Sequence, residues 1–283
     1  MKKYINKSLI QYSSFKTGGN ADVLYIPENI EELVTLLEEH PDIIVLGNIS
    51  NTLITDKGVR NPLAITTEIK NINICGNMLT AQCGASLSSI AVQAMKCSLK
   101  GMEFLYGIPG TLGGGIYMNA GAYGGEISDS IVKVRLWNRQ RGIFEQTKEE
   151  MEFAYRKSRL SECDDILLEA VFKLEKGAET EIKEKMDELM AARRAKQPLD
   201  YPSCGSTFKR PEGYFAGKLI EECGLKGKTI GGAAVSEKHA GFVINKSNAK
   251  SKDILDLIEY IKTVVYNKKG IKLEEEIKIV GEL

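Results

Sequence analysis

The sequence predicts an α+β fold in two or three domains. Short apolar runs of strand length alternate with stretches whose apolar residues recur at helical spacing. The chain has 283 residues, against a common domain size of about 100–150. Its composition also changes near Lys176-Gly177, after which the helical segments become highly charged.

The elements follow in order. Val23–Ile26 reads as a strand. Ile30, Leu33, Val34 and Leu37 repeat at helical spacing, and Ile43 to Leu46 forms a β-rich run ending at Gly47, which completes a β-α-β unit. Ala64 to Ile74 and Met78 to Cys83 add strands around Gly76-Asn77, and Leu87 to Leu99 carries a second amphipathic helix. Val132 to Trp137, Ile143 to Thr147 and Ile166 to Leu174 are strands. Glu179 to Lys196 is a charged helix ending before Pro198, Asp253 to Tyr266 another helix, and Ile277 to Val280 the last strand.

Composition excludes several classes. Lys+Arg and Asp+Glu balance at 38 each, and no basic stripe interleaves with aromatics, so nucleic acid is not the expected partner. The N-terminal residues lack an apolar run behind their lysines, and no span of membrane length follows, so a soluble, cytoplasmic protein is expected. Cys75, Cys83, Cys97, Cys163, Cys204 and Cys223 form no C-x-x-C pair and read as reduced core thiols. His40 and His239 are the only histidines, so no metal site is expected. His40, before Pro41, is expected at the surface as the end of a helix.

The densest signal is Gly107–Gly125, GIPGTLGGGIYMNAGAYGG, with eight of the 27 glycines and no charge. Glycine runs are kept where backbone must come close to another group, here a phosphate or a flat cofactor; a tight turn between core strands is the alternative. The dinucleotide fingerprint is absent because Met118 stands at its third glycine. The P-loop tail Gly227-Lys228-Thr229 lacks its leading glycine at Glu222. Gly47–Asn51 follows a strand, where Ser50 and Asn51 can bond a pyrophosphate or simply close a turn. Phe153–Ser158 sets Arg156 next to aromatic residues, suited to a planar grip on a carboxylate or a developing enolate; an ordinary surface arginine is the alternative. Gly205–Lys209 offers Ser206 in a loop without the G-x-S-x-G elbow, so an acid role suits it better than a nucleophile's. An acidic cluster, Glu274 to Glu276, leads into the last strand.

Together these segments resemble the UDP-N-acetylenolpyruvoylglucosamine reductase family. SFKTGGNA, GNISNTLITD, GMEFLYGIPGTLGGGIYMNAGAYG, FAYRKS, KQP, GSTFKRP, HAGFVIN and LEEEIKIVG occur in the family's order between Ser14 and Gly281. The short stretch between Leu174 and Pro198 corresponds to the family's shorter form. The resemblance implies a vanillyl-alcohol-oxidase-type (PCMH) FAD-binding domain of two subdomains, 1–85 and 86–176, plus a C-terminal α/β substrate domain, 177–283. It implies non-covalent FAD with NADPH as co-substrate, and reduction of UDP-N-acetylglucosamine enolpyruvate to UDP-N-acetylmuramate for peptidoglycan precursors. It further implies a nucleotide-sugar substrate and a monomer.

Carried over by motif, Arg156 stabilises the negative charge that hydride addition leaves on the substrate, Ser206 protonates the carbanion, and Glu276 polarises the carboxylate or stabilises the enol through a shared proton. FAD falls to Gly47, Asn48, Ile49, Ser50 and Asn51, and to Gly107, Ile108, Pro109, Gly110, Gly113, Gly114, Asn119, Ala120, Gly121 and Ala122. Substrate falls to Tyr155, Lys196, Lys209 and Arg210. Two positions depart from the family pattern. Asn48-Ile49 replaces the pair before Ser50 that normally ends in glycine, and β-branched Ile49 suits φ > 0 poorly. Arg210 replaces the asparagine of the family's F-K-N-P. A flavin oxidoreductase of the same fold with another substrate, and a non-enzymatic nucleotide-sugar-binding paralogue, are the alternative readings.

Overall fold

The computed structural model describes residues 1–282 as two compact units, each discontinuous in sequence. Residues 1–3, 25–48 and 62–193 form the first; 4–24, 49–61 and 194–283, described to 282, form the second.

In the first unit, helix α1 (Ile30–Glu39) starts where the Asn29 side chain accepts from the Glu32 amide at 2.8 Å, and it buries Ile30, Leu33, Leu36 and Leu37. It stops before Pro41, whose ring disfavours a helical preceding residue. His40 is the C-cap, as expected. It is half-buried rather than open to solvent, because its Nε2 meets the Tyr25 hydroxyl at 3.1 Å and the two rings lie 5.3 Å apart.

A parallel pair, Ile44–Leu46 with Leu63–Ile65, follows. The single strand expected over Ala64–Ile74 is interrupted. The Ile69 amide donates to the Thr66 carbonyl at 2.9 Å, closing a turn before the strand Ile72–Cys75. No glycine or proline marks that turn, so periodicity could not reveal it. A five-stranded antiparallel sheet then runs in the order Gly142–Thr147, Ile131–Asn138, Ile166–Lys173, Met78–Gln82, Ile72–Cys75.

Helix α2 (Leu87–Lys96) is shorter than expected. Ser98 takes φ +56°, and Leu99–Lys100 leaves to pair with Glu175–Lys176. A six-residue helix α3 (Leu112–Tyr117), hidden by its three glycines, packs against the sheet strands Met78–Gln82 and Ile166–Lys173. Helix α4 (Glu179–Lys196) has the expected bounds.

The second unit holds helix α5 (Ala216–Glu222), helix α6 (Ser251–Lys269) and an antiparallel sheet, Thr229–Ile230, Ala233–Val235, Val243–Asn245. Helix α6 outruns the expected Asp253–Tyr266 and ends on Gly270 at φ +71°, the left-handed cap that glycine adopts without strain. It buries Ile254, Leu257, Ile258, Ile261 and Val265. Thr52–Ile54 pairs in parallel with Lys278–Val280.

The six cysteines are free, but only Cys83, Cys204 and Cys223 are buried; Cys75 and Cys97 are exposed and Cys163 intermediate. The expectation of core thiols therefore fails for those three. Burial pushes the Cys83 and Cys204 thiols up to about 12, which leaves them protonated and unreactive at neutral pH.

Candidate active site

Within the first unit the glycine-rich segment meets Gly47 and Asn48, the start of the Gly47–Asn51 loop. An ideal Cβ on Gly47 would lie 2.0 Å from Thr111 Oγ1, and the Asn48 amide donates to the Pro109 carbonyl at 3.2 Å. The Thr111 hydroxyl is buried and makes no hydrogen bond within the chain. An orphaned hydroxyl of that kind costs about 1–3 kcal/mol, a cost that a bound acceptor removes. A Cβ on Gly114 would find nothing nearer than this same oxygen at 4.0 Å. A donor beside open, glycine-lined backbone fits the pyrophosphate of FAD.

Not every glycine of the segment faces such a space. A Cβ on Gly115 would come within 2.8 Å of the Ile127 side chain, and one on Gly125 within 2.7 Å of the Phe104 ring, so close packing holds these two. Gly47→Ala is expected to displace Thr111, to cost about 1–3 kcal/mol of stability by overpacking, and to weaken FAD binding. Thermal melts and FAD titration check this, and an alanine variant that binds FAD like the parent removes Gly47 from the site.

The arginine turn is fastened to the same segment. Ala154 and Lys157 exchange backbone hydrogen bonds at 3.0 and 3.1 Å, leaving Tyr155 and Arg156 at the tip, with Arg156 at φ +55°. Arg156 Nη2 donates to the Gly121 carbonyl at 3.5 Å, and its guanidinium carbon lies 5.2 Å from the centre of the Tyr155 ring. Buried Ser158 donates to the Tyr117 carbonyl at 3.1 Å, and Asn119 donates to the Ala154 carbonyl at 3.2 Å. Asn119 also donates to Glu126 at 2.8 Å and accepts from the Ser128 amide at 3.2 Å. With its side chain committed inside the protein, a contribution of Asn119 to the cofactor runs through its main chain. Sequence reasoning missed Thr111 and Ser158, since a hydroxyl carries no periodic or charge signal.

The remaining site residues belong to the second unit. Ile49 stands at φ +48° and is 3 % exposed, so a buried β-branched side chain occupies the strained backbone conformation that the motif comparison flagged. Gly205 at φ +75° turns the chain into Ser206, whose hydroxyl donates to the Phe208 carbonyl at 3.2 Å.

The Glu276 amide donates to the Thr207 carbonyl at 2.8 Å, and Phe208 forms a β-bridge with Glu275, which sets the serine loop beside the acidic cluster. Glu274 pairs with Lys209 at 3.2 Å and Glu275 with Lys262 at 2.9 Å. The exposed Lys209 pair contributes little to stability. Arg210 lies 4.6 Å from the ring of exposed Phe215, so stacking occupies one face of the residue that departs from the family pattern. Lys196 is exposed at the last residue of α4. Among the described residues no helix is long and apolar enough to cross a membrane, and no group of three or more histidine, cysteine or acidic residues could hold a metal ion.

Residues 21–147 match the family model described as FAD binding domain, and residues 197–280 match that described as UDP-N-acetylenolpyruvoylglucosamine reductase, C-terminal domain. The chain is 50 % identical over 285 aligned residues to the UDP-N-acetylenolpyruvoylglucosamine reductase of Caldanaerobacter subterraneus subsp. tengcongensis, covering 99 % of this chain and 94 % of that protein. The Clostridioides difficile reductase is also 50 % identical, covering 98 % of this chain and 93 % of that protein. The crystal structure of the reductase from Thermus caldophilus superposes with a TM-score of 0.85 at 32 % identity, covering 99 % of this chain and 98 % of that one. The expected α+β architecture, with an FAD-binding domain ahead of a C-terminal substrate domain, holds. With a buried hydroxyl beside open glycine backbone in one unit, a serine loop against an acidic cluster in the other, and this similarity along its whole length, the chain belongs to the UDP-N-acetylenolpyruvoylglucosamine reductase family.

Proposed function

We propose that the protein reduces UDP-N-acetylglucosamine enolpyruvate to UDP-N-acetylmuramate, a step in peptidoglycan precursor synthesis, with FAD as cofactor and NADPH as reductant. When bound, FAD supplies to the enolpyruvyl double bond the hydride that it has taken from NADPH. Every other requirement falls on the chain. Hydride at the terminal carbon leaves an electron pair on the carbon bearing the carboxylate, and a proton must reach that carbon. Arg156 offers a planar, permanently charged fork to the carboxylate that shares this charge. Ser206 donates the proton, and Glu276 shares a proton with the carboxylate to favour the enol.

A serine hydroxyl is a weak acid, useful only against a strongly basic carbon held at hydrogen-bond distance. Tyr155, Lys196, Lys209 and Arg210 hold the nucleotide sugar. The loops 47–51 and 107–122 hold FAD, in subdomains 1–85 and 86–176 that precede a substrate domain 177–283. The protein works as a monomer in the cytoplasm.

The observation that carries the catalytic assignment is the 2.8 Å bond from the Glu276 amide to the Thr207 carbonyl, which supports a serine acid and a carboxyl acting at one place. Protein loaded with FAD is expected to bleach with NADPH under anaerobic conditions and to recover its flavin absorbance when UDP-N-acetylglucosamine enolpyruvate is added. Colourless protein that takes up no FAD sinks the reading. A flavin that bleaches but never recovers with this substrate points to an oxidoreductase of the same fold with another substrate.

A further inference from the structure

The segment Ile49–Asp56 does more in the second unit than end a cofactor loop. The Asn51 side-chain amide donates to the Glu276 carbonyl at 3.1 Å, while the Glu276 amide donates to the Thr207 carbonyl at 2.8 Å. Both peptide groups flanking the Glu276 Cα are therefore tied, one to the serine loop and one to Asn51. The Lys278 amide then donates to the Asn51 carbonyl at 2.9 Å, opening the parallel ladder between Thr52–Ile54 and Lys278–Val280.

The far end of the segment is pinned as well. The Asp56 carboxylate accepts from the amides of Ser251 and Lys252 at 3.0 and 3.3 Å, and the Ser251 hydroxyl accepts from the Asp56 amide at 2.8 Å. A side chain held at the start of a segment locked at both ends is a rigid donor, and its partner is the backbone of the proposed catalytic carboxyl residue.

We propose that Asn51 is a positioning residue for Glu276, fixing the Glu276 backbone so that the carboxyl reaches the substrate in one geometry. The proposal rests on the assignment of Glu276 in the proposed function. Without the Asn51 amide, the Glu276 carbonyl turns toward water and the backbone torsion that aims the side chain is released. A misplacement of about 1 Å at a reacting group costs on the order of 100-fold in rate. The linkage also joins the loop proposed for FAD to the residue proposed for the second half-reaction.

Asn51→Ala and Asn51→Asp provide the test, in the parent and in a Glu276→Gln background, at saturating FAD. The aspartate keeps the shape of asparagine and removes the donor, so it separates hydrogen bonding from space filling. Both variants are expected to slow substrate-driven recovery of flavin absorbance by about 10–100-fold, and to slow it more than they slow reduction by NADPH, which position 51 reaches only through the flavin. In the Glu276→Gln background neither is expected to add more than about 2-fold, because residues that act as a unit are not additive.

A second readout needs no cofactor. In FAD-free protein, amide exchange at Glu276 and Lys278 should quicken by about 2–12-fold, the effect of losing one ordinary hydrogen bond. Additive losses in the double variants, equal losses in both half-reactions, an Asn51→Asp variant as fast as the parent, or unchanged exchange each overturn the positioning role and leave the proposed function standing. Failure of the parent to recover with substrate, or full activity of Glu276→Gln alone, overturns the functional assignment and the proposal with it.

Discussion

Ser206→Ala is expected to bind FAD and oxidise NADPH like the parent, while recovery of flavin absorbance with the enolpyruvyl substrate slows by about 10²–10⁴-fold, the usual contribution of a general acid. The separation follows from where the hydroxyl sits. In the structure it donates to the Phe208 carbonyl at 3.2 Å, within its own loop in the second unit, so its removal disturbs no packed side chain. Gly205, with φ +75°, keeps the turn that presents position 206. Substrate affinity should change little, since one neutral hydrogen bond is worth about 0.5–1.5 kcal/mol. Ser206→Cys, a stronger acid of similar size, should retain more activity than alanine. Stopped-flow measurement of the two half-reactions decides the matter. An alanine variant that recovers at the parent rate transfers the proton to water or to Glu276.

Arg156→Lys should lower the same half-reaction by about 10²–10³-fold, the range seen when one preorganised donor to a developing negative charge is removed. NADPH oxidation should survive. Lysine keeps the charge but not the fork, and a guanidinium held by the Gly121 carbonyl at 3.5 Å and the nearby Tyr155 ring is oriented in a way that a single ammonium cannot reproduce. The backbone at φ +55° is no easier for lysine than for arginine, so the comparison isolates side-chain geometry. Slowed substrate turnover with full retention of flavin reduction is the expected pattern, and an unchanged rate in both half-reactions removes Arg156 from the catalytic groups.

By itself the sequence determined the elements that local pattern encodes. The apolar spacing of Ile30, Leu33 and Leu37 marked α1, Pro198 limited α4, and the glycine density of 107–125 pointed to close backbone approaches, of which Gly115 against Ile127 and Gly125 against Phe104 are two. Motif order, with several segments matching at once, carried the family. Local pattern ran out at the turn closed by Thr66 and Ile69, at α3 with its glycines, and at the exposed cysteines Cys75 and Cys97. At the turn and at α3, tertiary contacts outweighed propensity.

Only the tertiary structure decided which distant residues share a unit. Asn51 meets the carbonyl of Glu276 across 225 residues of sequence, Asp56 caps the start of α6 across 195, and the glycine segment receives the arginine turn through Asn119 across 35. Such bonds join main chain to short polar side chains. Their partners are fixed by where the backbone has been folded, and a main-chain carbonyl or amide is the same group at nearly every position, so no residue type in the sequence announces them.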